Sequence, residues 1–309
     1  MAPVTSYSTQ RLTIIAQDPA VCVDGRILKA EVEVPAEELA PGPWGYRVQV
    51  IDYDATSGRI YRPRVYERAS DGLFKDPYRV AEDGTLLGDP GFHAQNVYAI
   101  VMRILARFEY ALGRRVSWSF GAHQIKAAPH AFADANAFYA PRDEGLFFGY
   151  FPGKSGTVFS CLSHDVVAHE TTHALLDGLR SLYTEPSSPD QAAFHEGFAD
   201  IVALLSVFAL PEIVDAALDF PAASPGGRGK ERASARSTIP ADRVTPQQLR
   251  QSALLSIAEQ MGEELSTVRG KPLRRSVELE PSPEYLKRPD FTEAHRRGEV
   301  LVAAVMNAF

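Results

Sequence analysis

The spacing of apolar positions changes about a third of the way along the chain. In the first ninety residues they fall in short β-branched and aromatic runs. Arg11–Ala16 and Tyr46–Tyr53 read as strands. Pro41-Gly42-Pro43 and Gly88-Asp89-Pro90-Gly91 punctuate this region. Asp54–Gly58 and Ala81–Gly84 read as hairpin turns. The spacing then becomes helical. Val97, Ile100, Val101, Ile104, Leu105, Phe108 and Leu112 line one side of a helix over Phe92–Leu112, with Gly113 as its stop. Val116–Ile125 reads as a strand, and Phe138–Phe151 includes another. From Ser163 onward helices dominate: Asp165–Leu179, Gln191 to about Phe208, Thr245–Glu264, and a last one beginning near His295. Pro221–Ile239 is rich in Pro, Ala, Ser, Gly and Arg and reads as a loop or insertion. Strands first and helices second predict an α+β fold, with a β-rich part over residues 1–160 and a helical part over 161–309.

Composition narrows the function classes. The 309 residues suffice for one large domain or two ordinary ones. At 45% hydrophobic and 23% charged, the chain is not largely disordered. A net charge of −7 gives no basic surface for a nucleic-acid partner. No run approaches the ~20 apolar residues of a membrane-spanning helix. Met1–Tyr7 has neither a basic start nor an apolar run, so no signal peptide is visible. Cys22 and Cys161 alone make no disulfide framework, and the expectation is a reduced, cytoplasmic protein.

His169-Glu170-Thr171-Thr172-His173 is an H-E-x-x-H motif. Residues four apart on a helix share a face, so both imidazoles can meet one Zn²⁺, and Glu170 lies beside them as a base for a water. A chance match in such a chain has odds of roughly one in a hundred. The alternative is an amphipathic helix with two partly exposed histidines, but the flanks Val166-Val167-Ala168 and Ala174-Leu175-Leu176 are apolar. Glu196 follows His173 by 23 residues, enough for a loop through Glu185–Asp190 and an antiparallel return. It is the expected third ligand. Asp200 shares its helix face and can fix the tautomer of a ligand histidine. The other histidines take ordinary roles: His164 near the helix start as a cap, and His93, His123 and His130 as packed or hydrogen-bonded residues. Cys161 reads as a small buried hydrophobe.

His169, Glu170, His173, Glu196 and Asp200, led in by Asp165-Val166-Val167-Ala168, resemble the signature of the thermolysin-like gluzincins, the neutral metallopeptidases that include the fungalysins. Asn136-Ala137-Phe138-Tyr139 is similar to that family's edge strand. The resemblance implies an extended substrate pairing there, with Asn136 and Ala137 in contact. It also implies oxyanion stabilisation by Tyr183 and by His295 paired with Asp290, and a substrate-carbonyl contact from Arg274 in Leu273-Arg274. Taken by itself, Arg274 reads first as part of a solvated basic face with Lys271 and Arg275, and Tyr183 reads equally as an ordinary interfacial tyrosine. The resemblance covers roughly residues 90–309 and implies a two-lobed architecture with the zinc helix between the lobes.

Three departures stand out. The family is usually exported with a propeptide, and neither leader is visible. Its calcium ligands follow the third-ligand helix, whereas Ile201–Leu210 contains no acid, so no calcium site is expected. His195 stands where the family often has Asn. The expected function is a zinc endopeptidase acting on a peptide or protein substrate, with one catalytic ion. The alternative is a zinc-binding domain with little hydrolytic activity; a non-peptide hydrolase is disfavoured by the edge strand. The chain stops within an apolar helix at Val305–Phe309, so that helix is expected to lack some of its packing partners.

Overall fold

The structure is a computed structural model that describes residues 8–68, 73–154, 156–180, 185, 187–217, 279–280 and 282–309. The helix expected over Thr245–Glu264, the insertion over Pro221–Ile239, Tyr183 and Arg274 lie outside the described residues.

Two strands of seven residues open the chain. β1 (Thr9–Ile15) pairs antiparallel with β4 (Lys29–Pro35), Leu12 facing Val32 and Ile14 facing Ala30. Ala30, Val32 and Val34 are buried, while Glu31 and Glu33 take the other face, the period of two expected of a half-buried strand. Two short strands, β2 (Cys22–Val23) and β3 (Arg26–Ile27), form a hairpin between them.

The main sheet is mixed. Its order is β11 (Gly156–Phe159), β10 (Gly145–Gly153), β8 (Ile125–Phe132) and β5 (Val48–Val50), with β9 (Ala137–Ala140) paired to β10 alone. β8 runs parallel to both β5 and β10, whereas β9 and β11 run antiparallel to β10. The Asp54–Gly58 turn joins the hairpin of β6 (Tyr53–Asp54) and β7 (Arg59–Ile60). Asp54 Oδ1 accepts from the N–H groups of Thr56 and Ser57, which closes that turn locally.

Two local expectations fail for identifiable reasons. Ala81–Gly84 is no hairpin turn: it leads into a short helix, α1 (Asp83–Gly88), whose Leu86 is fully buried and whose Asp83 accepts from the Ile27 N–H. Val116–Gln124 is no strand, and β8 begins only at Ile125. The buried Arg47 guanidinium binds the carbonyls of Val116 and His123 and the Glu109 carboxylate. Those carbonyls are committed to a side chain instead of a neighbouring strand.

Helix α2 (Pro90–Leu112) carries the core. Asp89 caps its start by accepting from the Gly91 N–H, and Gly113, at φ 65°, ends it in the left-handed region. Phe92, Val97, Ile100, Ile104 and Leu105 are all buried. Each such side chain contributes about 1.5–3 kcal/mol on leaving water. Two polar residues on α2 tie other elements to it. Asn96 accepts from the Ile15 N–H and donates to the Cys161 carbonyl, and Gln95 donates to the Thr13 carbonyl and to Asp76.

The helical part follows with α3 (His164–Leu179), α4 (Pro189–Phe208), α5 (Pro211–Ala217) and α6 (Ala294–Ala308). One hydrophobic core extends from Leu12 in β1 through α2 and α3 to Ile213 in α5, continuous across residue 160. A second cluster, Ile201, Leu204 and Val302, with Val305 and Met306 against it, seals α6 onto α4. The α4–α6 crossing depends on two glycines. A Cβ on Gly298 would lie 2.8 Å from the Ala193 carbonyl oxygen, and one on Gly197 would lie 2.7 Å from that of Gly298. The architecture is α+β.

Candidate metal centre

α3 is buried on most sides, and its two threonines are satisfied within the helix itself. Thr171 and Thr172 donate to the carbonyls one turn back, Val167 and Ala168. His164 does not cap the helix as expected. It is fully buried, and its Nε2 lies 3.1 Å from the Ser206 hydroxyl on α4, so it bridges the two helices. The Ser163 hydroxyl bonds Asp18 instead of capping. Burial and the nearby Asp18 carboxylate raise Asp165 to about 7.

The helical period puts His169 and His173 on one face, and α4 returns antiparallel against it. Their Nε2 atoms are 2.9 Å apart. Glu196 Oε2 lies 3.3 Å from the first and 3.5 Å from the second. Asp200 Oδ1 is 2.8 Å from His169 Nδ1, so that nitrogen carries the hydrogen and Nε2 turns a lone pair inward. His173 Nδ1 meets His195 Nδ1 at 2.5 Å, and the two rings stack at 4.6 Å. Two imidazole nitrogens and one carboxylate oxygen, all within 4.8 Å of one another, therefore converge on one point. This donor set fits a zinc ion with an open fourth position.

The electrostatics favour positive charge at that point. Burial works against a charged His169, but the Asp200 and Glu196 carboxylates outweigh it and raise it well above its ordinary value. Burial would raise Glu196 too, yet the imidazoles of His169 and His173 against it hold it well below the usual carboxylate range. His195 falls to about 4 through burial and the neighbouring His173. Burial raises Glu170, with His173 and His169 opposing the shift.

Glu170 is held from across the cleft. Its Oε2 accepts from the Tyr139 backbone N–H at 3.0 Å, and Asp177, two turns further along α3, accepts from the Tyr139 hydroxyl at 2.9 Å. β9 is thus stapled to α3 at both ends of one residue. β9 pairs with β10 alone among the described strands and lies beside Glu170, and its donors are engaged within the chain. The Ala137 N–H goes to the side chain of Asn136, and the Asn136 carbonyl accepts from Gly149.

His295 reaches the same site from α6. Its side chain is 62% exposed and its Nε2 lies 3.2 Å from Glu196 Oε2. The Gly197–Gly298 crossing brings it there, since each glycine lies within three residues of one partner. Asp290 does not pair with it. Both Asp290 oxygens bind Arg288, two residues back, and the partner of His295 Nδ1 is Glu293 at 2.7 Å. Glu293 caps α6, accepting from the N–H groups of His295 and Arg296, and this turns its carboxylate towards the imidazole. An acid two residues before a histidine at a predicted helix start was the available signal. For His195 the signal was its adjacency to Glu196.

No family model matches the chain, and no curated protein sequence does. Among the described residues, no helix is long and apolar enough to cross a membrane.

Proposed function

We propose that this chain is a zinc-dependent endopeptidase with a two-lobed, thermolysin-like arrangement. The observation that carries the reading is the placement of Glu170: its carboxylate follows His169 directly and is anchored by Tyr139 beside the convergence of His169, His173 and Glu196. Those three residues would hold zinc, with Asp200 and His195 orienting the two imidazoles. Zinc there would polarise a scissile carbonyl and make a water more acidic. Glu170 takes a proton from the attacking water and later delivers it to the leaving amine. Its burial suits this work, because a carboxylate raised from its ordinary value is a stronger base. With Nδ1 held by Glu293, His295 turns Nε2 towards the site and would be the donor to the developing oxyanion. β9 pairs on one side only among the described residues, which supports docking of an extended peptide along its other edge.

A second reading, a zinc-binding domain without hydrolysis, is favoured by one feature: the Tyr139 N–H, a donor on that edge, is already engaged by Glu170. Profiling wild type against Glu170→Gln on a broad peptide library separates the two. The endopeptidase reading expects cleavage by wild type and loss in the variant, with zinc retained by both. Equal inertness of both proteins supports the binding domain.

A further inference from the structure

A second histidine cluster is buried in the core beside the turn that precedes α3. His93 comes from α2, His130 from β8, and Cys161 from the 3-10 turn Ser160–Leu162 that leads into α3. All three are buried, and one ligand atom from each lies within 4.8 Å of the others. Sequence spacing hides the group, because its members come from three distant segments.

The placement of protons on the two imidazoles is informative. His93 Nε2 faces two carbonyl oxygens, Leu86 at 3.2 Å and Leu87 at 3.1 Å, so it carries a hydrogen. Asp52 accepts from the His130 backbone N–H and lies 2.7 Å from His130 Nδ1, so that nitrogen carries one as well. The remaining nitrogens, His93 Nδ1 and His130 Nε2, face each other at 2.7 Å. With both rings neutral these are two opposed lone pairs. A cation between them resolves the conflict, and it is either an extra proton or a metal ion.

Three features select the metal. A proton here leaves a buried imidazolium packed against the rings of Tyr61, Phe159 and Tyr150, with the Asp52 carboxylate as its adjacent counter-charge. A softer donor, the Cys161 sulfur, stands at the same point. Each histidine also has its outer nitrogen fixed by a carboxylate or carbonyl, the arrangement that metal-ligating histidines require. The centre on α3 shows the same signature, two ring nitrogens facing at 2.9 Å with one outer nitrogen held by a carboxylate.

We propose that His93 Nδ1, His130 Nε2 and Cys161 Sγ form a second, buried zinc site that ties α2 and β8 to the turn preceding α3. Donor atoms around a tetrahedral zinc lie about 3.3–3.8 Å apart, so the two imidazoles need open by only ~1 Å or less. Binding releases the thiol proton to solvent and leaves a thiolate on the ion. The proposal is independent of hydrolysis at the α3 centre.

The full chain, stripped with chelator, reloaded with Co²⁺ or Zn²⁺ and dialysed, provides the test. Wild type is expected to retain about two ions per chain and, with Co²⁺, to show the near-ultraviolet thiolate-to-cobalt charge-transfer band. Cys161→Ser should abolish the band and reduce the count to about one, and Cys22→Ser should change neither. A His169→Ala/His173→Ala double variant should keep the band and about one ion, which separates the two sites. Absence of the band in Co²⁺-loaded wild type, or an ion count unchanged by both Cys161→Ser and His93→Gln, would overturn the proposal in favour of a shared proton. The wild-type spectrum decides even if a variant fails to fold.

Discussion

The two histidine clusters flank the start of α3 and share a core geometry, yet their surroundings differ. At the α3–α4 centre, solvent reaches His169, His173 and Glu196, the Glu170 carboxylate stands beside them, and His295 approaches from an exposed helix end. Around His93, His130 and Cys161, all three side chains are buried, the rings of Tyr61, Tyr150 and Phe159 pack against the imidazoles, and Asp52 is committed to His130 Nδ1. Chemistry needs a coordination position that substrate and water can reach and a proton acceptor, whereas the three donors of the second cluster are sealed from solvent. If both clusters take the cations proposed for them, the environment and not the facing nitrogens decides what each cation can do.

The largest way to break the comparison is at the base. Glu170→Gln should lower peptide hydrolysis by about 10²–10⁴-fold with metal content unchanged, measured by turnover and metal analysis side by side. An active Glu170→Gln protein would remove the functional contrast between the clusters.

Asp165 stands between the clusters in sequence, and its burial makes a pH prediction. Its folded value of about 7 is raised above the ordinary 3.8. A carboxyl raised on folding supports the fold most below about 3.8, loses that support as pH rises to about 7, and contributes least above it. Asp165→Asn should therefore gain stability at pH 8, on the order of a few kcal/mol, and little at pH 4, as read from urea denaturation at both values. An equal effect at the two pH values would show that Asp165 is not held protonated.

Asp200→Ala should weaken metal retention at the α3 centre by about 10–100-fold in a chelator competition, because His169 loses the group that fixes its tautomer. The buried cluster should keep its ion in the same titration. The smallest effect is expected from Gly298→Ala. Its methyl meets the Ala193 carbonyl and pushes α6 off α4, costing about 1–2 kcal/mol in thermal stability and drawing His295 away from Glu196. Hydrolysis should fall in that variant while the buried cluster is untouched.

The helical half of the chain is legible in its apolar spacing. The helices at Pro90–Leu112, His164–Leu179, Pro189–Phe208 and Ala294–Ala308 follow the apolar period to within a few residues at each end, because each buries a continuous face. Val116–Gln124 misled because Val116 and Trp118 are buried without being paired, and Arg47, some seventy residues away, decides their conformation. Asp290 misled for a local reason: Arg288 captures it, leaving Glu293 to face His295.

The residues of the α3 centre divide along the same line. His169, Glu170 and His173 are joined by a single helical turn, so the order of amino acids alone determined that they share a face. Glu196 and Asp200 needed only a loop and a returning helix. The stapling of Tyr139 to Glu170, the arrival of His295 across a pair of glycines, and the meeting of His93, His130 and Cys161 were decided by packing alone. Their partners are separated by tens of residues or more, and no periodicity in a chain encodes a distance that only the folded core sets.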